Sequence, residues 1–177
     1  MGENVMDKIE ELLKDPKTDL QKQALTDTSY KNIDHSLSDD DTNFELATYG
    51  DVALKLALCK IYRDKKNARI KFSDNLSKWK EKHESDEVLV RVIAKHYNLL
   101  NFLRYDEKGN RKPEEQKPQD YDHKGQNDKD RHKYLATAME ASIASVYLEN
   151  GENEVIEIVK QWIEWIDKVK ILQIHKS

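Results

Sequence analysis

Apolar residues in this 177-residue chain recur three and four positions apart in block after block, and no stretch carries the signals of a β-hairpin. Only 5 glycines and 3 prolines are present to interrupt such a pattern. The fold class expected is therefore all-α. Charged residues make up 36% of the chain, so the surface must be densely charged. The apolar side chains are gathered in the periodic blocks rather than scattered, which argues against disorder. The length suits one domain with a real core, spanning residues 1–177.

The first helix is expected at about residues 4–14, with Val5, Ile9, Leu12 and Leu13 on one side and a stop at Asp15-Pro16. A short helix through Leu20, Ala24 and Leu25 runs into a turn at Thr26–Tyr30, and Ser36–Thr42 reads as a polar loop able to cap the next helix. Residues 43–63 form the most apolar helix and the candidate for the central one. A basic loop, Arg63–Arg69, leads to helices at about 73–83 and 85–97. Residues 105–133 hold Gly109, Pro113, Pro118 and Gly125 among mixed charges with no apolar period, which predicts a flexible insert. Helices are then expected at 134–149 and at about 152–172, the last with an apolar stripe widened by Ile156, Ile163 and Trp165.

Two of these helices carry an acid inside the apolar stripe. Asp51 shares its face with Ala47, Leu54, Leu58 and Tyr62; Glu140 shares its face with Ala136, Ile143, Ala144 and Tyr147. An ionised carboxylate on a packing face is costly unless a donor, a basic residue or a metal ion compensates it. Two such acids on helices are the minimum for holding a divalent ion, which makes metal-dependent chemistry one reading. The other is structural: each acid sits half-solvated at the edge of its stripe, capping a helix or paired with a lysine.

The formal net charge of −4 does not point to a nucleic-acid partner, although a local basic face would offset an acidic average. Cys59 stands alone in an apolar run and reads as a small core residue in a reducing compartment. Met1-Gly-Glu-Asn is followed by an acidic amphipathic segment rather than an apolar one, and no run is long enough to span a membrane. A cytoplasmic protein with no membrane partner is expected.

The order of the blocks resembles the ribonuclease III endonuclease domain over nearly the whole chain. Leu20-Gln-Lys-Gln-Ala-Leu-Thr-Asp-Thr-Ser-Tyr-Lys-Asn32 is similar to that family's first conserved segment, with Asp27 where a histidine is usual. Asn43-Phe-Glu-Leu-Ala-Thr-Tyr-Gly-Asp-Val-Ala-Leu54 falls on its signature helix, and Leu76–Lys80, Ser85–Leu89 and Ile93–Leu103 resemble the pieces that follow. Tyr134–Leu148 resembles the second acidic segment, with Gly151 at the position of the glycine after it. Each match is weak alone; together, in order and at the right intervals, they are specific.

The resemblance carries functional residues over only in part. Asp51 matches the aspartate of the family's Gly-Asp pair and Glu140 the glutamate of its Glu-Ala pair. Ala47 and Phe44 stand where the signature helix has glutamates, Thr137 where the second segment has an aspartate, and Asn75 where a supporting glutamate often lies. Glu45, six residues before Asp51, points away from that face and does not substitute. The retained pair, with Ala47 and Thr137, resembles the mini ribonuclease III branch, which also lacks a double-stranded-RNA-binding domain. Against that branch, the helices of Leu76–Leu103 look more like the standard one, and the long charged insert has no clear counterpart there.

The resemblance implies a homodimeric endoribonuclease that cleaves double-stranded RNA with Mg²⁺, or Mn²⁺ in its place. Asp51 and Glu140 would be both metal ligands and catalytic residues, with Thr137 a candidate supporting hydroxyl. Duplex RNA would be read by shape through its phosphates and 2′-hydroxyls. Lys65, Lys66 and Arg69 form one candidate phosphate patch; Arg111, Lys112, Lys124, Lys129, Arg131 and Lys133 form another. Each is interrupted by acids, so an ordinary solvated surface is the alternative. Phe44, Ala47, Tyr49 and Leu54 are compatible with packing of the signature helix across a two-fold axis. A catalytically inactive relative, binding RNA or acting as a ribosome-associated interaction protein, is the other function compatible with so few acids.

Overall fold

The computed structural model describes residues 8–67, 75–106 and 133–174. Among them there is no strand; one isolated parallel bridge joins Thr26 to Arg104. The all-α expectation holds. Helix α1 covers Lys8–Lys14, burying Ile9, Leu12 and Leu13. Helix α2, Asp19–Ala24, is opened by a capping box in which the Thr18 hydroxyl accepts from Gln21 N and the Gln21 side chain reaches back to the Thr18 amide. The expected turn at Thr26–Tyr30 is a 3₁₀ helix, Thr28–Asn32, whose N-cap Asp27 accepts from Ser29 N.

Helix α3, Asn43–Asn67, is longer than expected, because the basic stretch at Arg63–Asn67 continues the helix instead of leaving it. Its inner face buries Leu46, Ala47, Gly50, Ala53, Leu54, Ala57, Leu58 and Ile61. Cys59 lies beside that face, half-buried, rather than in the core. Helix α4, Leu76–Glu84, starts from an Asn75 side chain that accepts from Lys78 N and buries Trp79 and His83. Helix α5 runs from Asp86–Val88 through a π-helical stretch, Leu89–Ala94, into Lys95–Tyr97. The widened turn is visible where the Lys95 amide donates to the Val90 carbonyl, five residues back. Asn98 ends α5 in the left-handed region, at φ 51, a conformation asparagine tolerates better than most residues.

Helix α6, Lys133–Asn150, and helix α7, Glu152–Ile174, complete the fold. Between them Gly151 adopts φ +86 and its amide donates to the Tyr147 carbonyl, a left-handed cap that suits glycine. The central helix is α6, not α3. From Leu135 to Val146 it is buried on almost every side, including Ser142 and Ser145, whereas α3 leaves a long outer face in solvent. Helix α7 supplies Val155, Ile158, Val159, Trp162, Ile163 and Ile166 to the same core, while Ile156 and Trp165 pack at its edge. The widened apolar stripe of α7 is thus accounted for by burial. A fully buried Leu or Ile side chain contributes about 1.5–3 kcal/mol, so this core is the main source of stability.

A polar clamp closes one end. Arg104 N donates to the Leu25 carbonyl and Asp27 N to the Arg104 carbonyl, both at 2.8 Å. The Arg104 guanidinium donates to the Thr26 hydroxyl and lies over the Tyr30 ring. Asp106 N donates to the Ser29 hydroxyl and Asn32 Nδ2 to the Asp106 carboxylate. Tyr105 and Asp106 are therefore buried parts of the framework, not the start of a loose insert, and Lys133 is already helical. The remainder of that insert lies outside the described residues. No helix among the described residues is long and apolar enough to cross a membrane.

Candidate functional site

The site is built where α3 and α6 touch most closely. A Cβ added at Gly50 would lie 1.7 Å from the backbone oxygen of Glu140, so only glycine permits this approach. Small side chains continue the contact: Ala24, Ala47, Ala141 and Ala144 cluster with Leu46. A glycine inside a helix costs about 1 kcal/mol relative to alanine. Here it sets the spacing of two backbones. The residue after Gly50 is Asp51, and the residue whose carbonyl meets Gly50 is Glu140. The two acids singled out from the sequence are thus brought to one place by backbone contact.

Their surroundings differ. Asp51 is half-exposed and its Oδ2 accepts from Lys55 Nζ at 2.6 Å, one turn along α3. For Asp51, the structural reading of a half-solvated acid paired with a lysine describes the geometry. Glu140 is half-buried, and among the described residues its carboxylate has no hydrogen-bond donor or ion-pair partner. Burial, with the negative charges of Asp51 and Asp86 behind it, raises its pKa from the usual carboxylate range to about 7; Lys55 and Lys133 pull weakly the other way. The hydrogen bond from Lys55 to Asp51 raises the lysine's own pKa, with smaller contributions from the charges of Asp51, Glu84 and Glu140, so the ammonium stays charged.

Burial comes first in raising the cost of ionising Glu140, and the charges of Asp51 and Asp86 add to it, a cost that a nearby cation could offset. The donors are carboxylate oxygens, the hard ligands that suit Mg²⁺ or Mn²⁺. Among the described residues no group of three or more His, Cys, Asp or Glu forms a ready cage. Two carboxylates of this kind could hold one hard divalent ion, provided Asp51 is shared with, or released by, Lys55.

Other expected site residues are distributed around this pair. Thr137, half-buried one turn before Glu140, donates its hydroxyl to the Lys133 carbonyl at 3.0 Å, which leaves only its lone pairs for anything else. Lys133, exposed at the start of α6, is near enough for its charge to act on Glu140. Lys65 and Lys66 lie on the last turns of α3, about 21 Å along the helix from Asp51 at 1.5 Å per residue. Arg69, Arg111, Lys112, Lys124, Lys129 and Arg131 lie outside the described residues. Of the stripe expected around the two acids, Ala47, Leu54, Leu58, Ala136, Ile143 and Ala144 are buried, while Tyr147 is exposed.

Two members of the site escaped the sequence reading. Lys55 was hidden because a lysine four residues after an acid is an ordinary helical pairing. Asp86 was hidden because an acid in the first turn of a helix is the usual complement to the helix dipole. A cleft elsewhere, lined by Lys14, His96, Asn98, Asn101 and Trp165 among others, includes none of these residues.

The outer face of α3 exposes Phe44, Tyr49, Val52 and Leu56. Ala47 and Leu54, also expected on a two-fold interface, are instead buried within the chain. A family model described as Ribonuclease-III-like matches residues 17–165, a span that contains α2 through most of α7 and both acids. With the ordered sequence segments, the helical architecture and this match in agreement, the chain belongs to the ribonuclease-III-like family.

Proposed function

We propose that this protein is a Mg²⁺-dependent endoribonuclease that cleaves double-stranded RNA as a homodimer, using a site reduced to Asp51 and Glu140. The observation that carries the proposal is the glycine-spaced contact between α3 and α6, which sets the two acids side by side within the span matching the family. Bound there, the ion would polarise a phosphate oxygen and lower the pKa of the attacking water. Asp51 and Glu140 would hold it through their carboxylate oxygens, Glu140 in its ionised form. Phosphodiester hydrolysis then yields a 5′-phosphate and a 3′-hydroxyl, as the family resemblance implies. Mn²⁺ serves as a substitute ion.

Lys133, beside the acids, and Lys65 and Lys66, about 21 Å away along α3, contact phosphates of the duplex, and Arg69, Arg111, Lys112 and Arg131 are further candidates for that role. A second copy covers Phe44, Tyr49, Val52 and Leu56 on α3, so that each duplex meets two sites. The test is cleavage of a perfect RNA duplex across a Mg²⁺ titration by wild type, Asp51→Asn and Glu140→Gln. Cleavage by wild type, reduced at least 100-fold in both variants, is the expected result. Duplex binding without cleavage at any Mg²⁺ or Mn²⁺ concentration would identify a binding module instead. Absence of RNA binding would point to an interaction protein.

A further inference from the structure

The family-derived scheme has no role for Lys55, yet this is the side chain in direct contact with a proposed metal ligand. Its Nζ lies 2.6 Å from Asp51 Oδ2, and the two side chains are 42% and 38% exposed. A carboxylate oxygen that accepts from an ammonium at that distance is not available at full strength to a divalent ion. An ammonium left beside such an ion also suffers like-charge repulsion. The lysine stem is flexible and the pair is partly in solvent, so the contact can open without disturbing the core. Glu140, one helix away, is not tied up in this manner.

We propose that Lys55 is a positioning residue that competes with the divalent cation for Asp51, and so sets the metal concentration at which the site fills. The inference rests on the nuclease reading above. In the metal-free protein Lys55 holds Asp51 in one rotamer and offsets part of the charge of the acidic site. When the cation arrives at Glu140, the Lys55–Asp51 contact opens, Asp51 turns to the ion, and the ammonium swings outward. The pair acts as an intramolecular stopper: a low divalent concentration leaves it closed, a high one opens it.

The test is Mn²⁺ binding to the full chain, read by the electron paramagnetic resonance of free Mn²⁺ and by calorimetry, in wild type, Lys55→Gln, Lys55→Arg and Glu140→Gln. Lys55→Gln is expected to bind Mn²⁺ roughly five- to twentyfold more tightly than wild type, with Lys55→Arg close to wild type. Without metal, Lys55→Gln melts at a lower temperature than wild type; saturating Mn²⁺ removes that difference. Equal or weaker Mn²⁺ affinity in Lys55→Gln, or a melting deficit that metal leaves unchanged, overturns the proposal while the nuclease reading stands on its cleavage assay. Mn²⁺ binding that survives Glu140→Gln, or no binding to any form, removes the metal site and this proposal with it.

Discussion

Glu140 is the residue whose state most affects the protein near neutral pH. Its pKa is raised from the usual carboxylate range to about 7, chiefly by burial and by the charge of Asp51. The folded state therefore keeps a proton that the unfolded chain gives up at lower pH. The stability this proton provides is present below the unfolded pKa, declines as pH rises, and is gone above about 7. Discounted for partial exposure of the side chain, the effect is about 1–3 kcal/mol. Without metal, wild type and Glu140→Gln should unfold at similar urea concentrations at pH 5. At pH 8 the glutamine variant should be the more stable by that amount. Parallel pH profiles for the two proteins would show that Glu140 ionises freely.

Between the elements, the α3–α6 contact depends on one missing side chain. Alanine at position 50 would drive its Cβ into the Glu140 backbone carbonyl, and a carbonyl in a buried helix cannot rotate away. Gly50→Ala is expected to cost about 3 kcal/mol or more, despite alanine's better helix propensity, by urea denaturation at pH 7. A neutral or stabilising result would mean that the helices stand further apart. The helices themselves were legible because their apolar stripes are long and their caps are written in ordinary residues: Thr18 with Gln21, Asn75, Gly151. What was not legible involved contacts between distant segments. The clamp of Arg104 on Leu25 and Asp27 is made by backbone groups 77 to 79 positions apart, with no strand pattern to announce it. The π-helical turn in α5 left the apolar spacing of Leu89, Val92 and Ile93 readable as plain α-helix. Gly50 did leave a signal, a glycine in a strongly helical run, which indicates close backbone approach. The two acids were legible as a pair only through the matched segments. Lys55 and Asp86 were not, since their local patterns are common on any helical surface.

At the scale of the whole molecule, α6 is enclosed while α3 faces solvent with Phe44, Tyr49, Val52 and Leu56. A face of this kind in water favours association. Val52 is 62% exposed, so Val52→Glu should leave the fold of one chain intact while abolishing self-association. Sedimentation equilibrium is expected to give a dimer for wild type and a monomer for the variant, with unfolding of the monomer shifted by no more than about 0.5 kcal/mol beyond the loss of the interface. A wild type that sediments as a monomer at micromolar concentration would remove the dimer from the proposed function. Ala47 limits which side chains this contact can accept. It is enclosed by Ala24, Leu46, Ala141 and Ala144, where the family pattern that the sequence resembles has a glutamate. A carboxylate there would need room that these neighbours occupy, so Ala47→Glu is expected to lower stability, read as a fall in the urea midpoint. A carboxylate at position 47 would fit only together with changes at these neighbours, so the packing of α3 on α6, and not the chemistry of the site, decides what position 47 can carry.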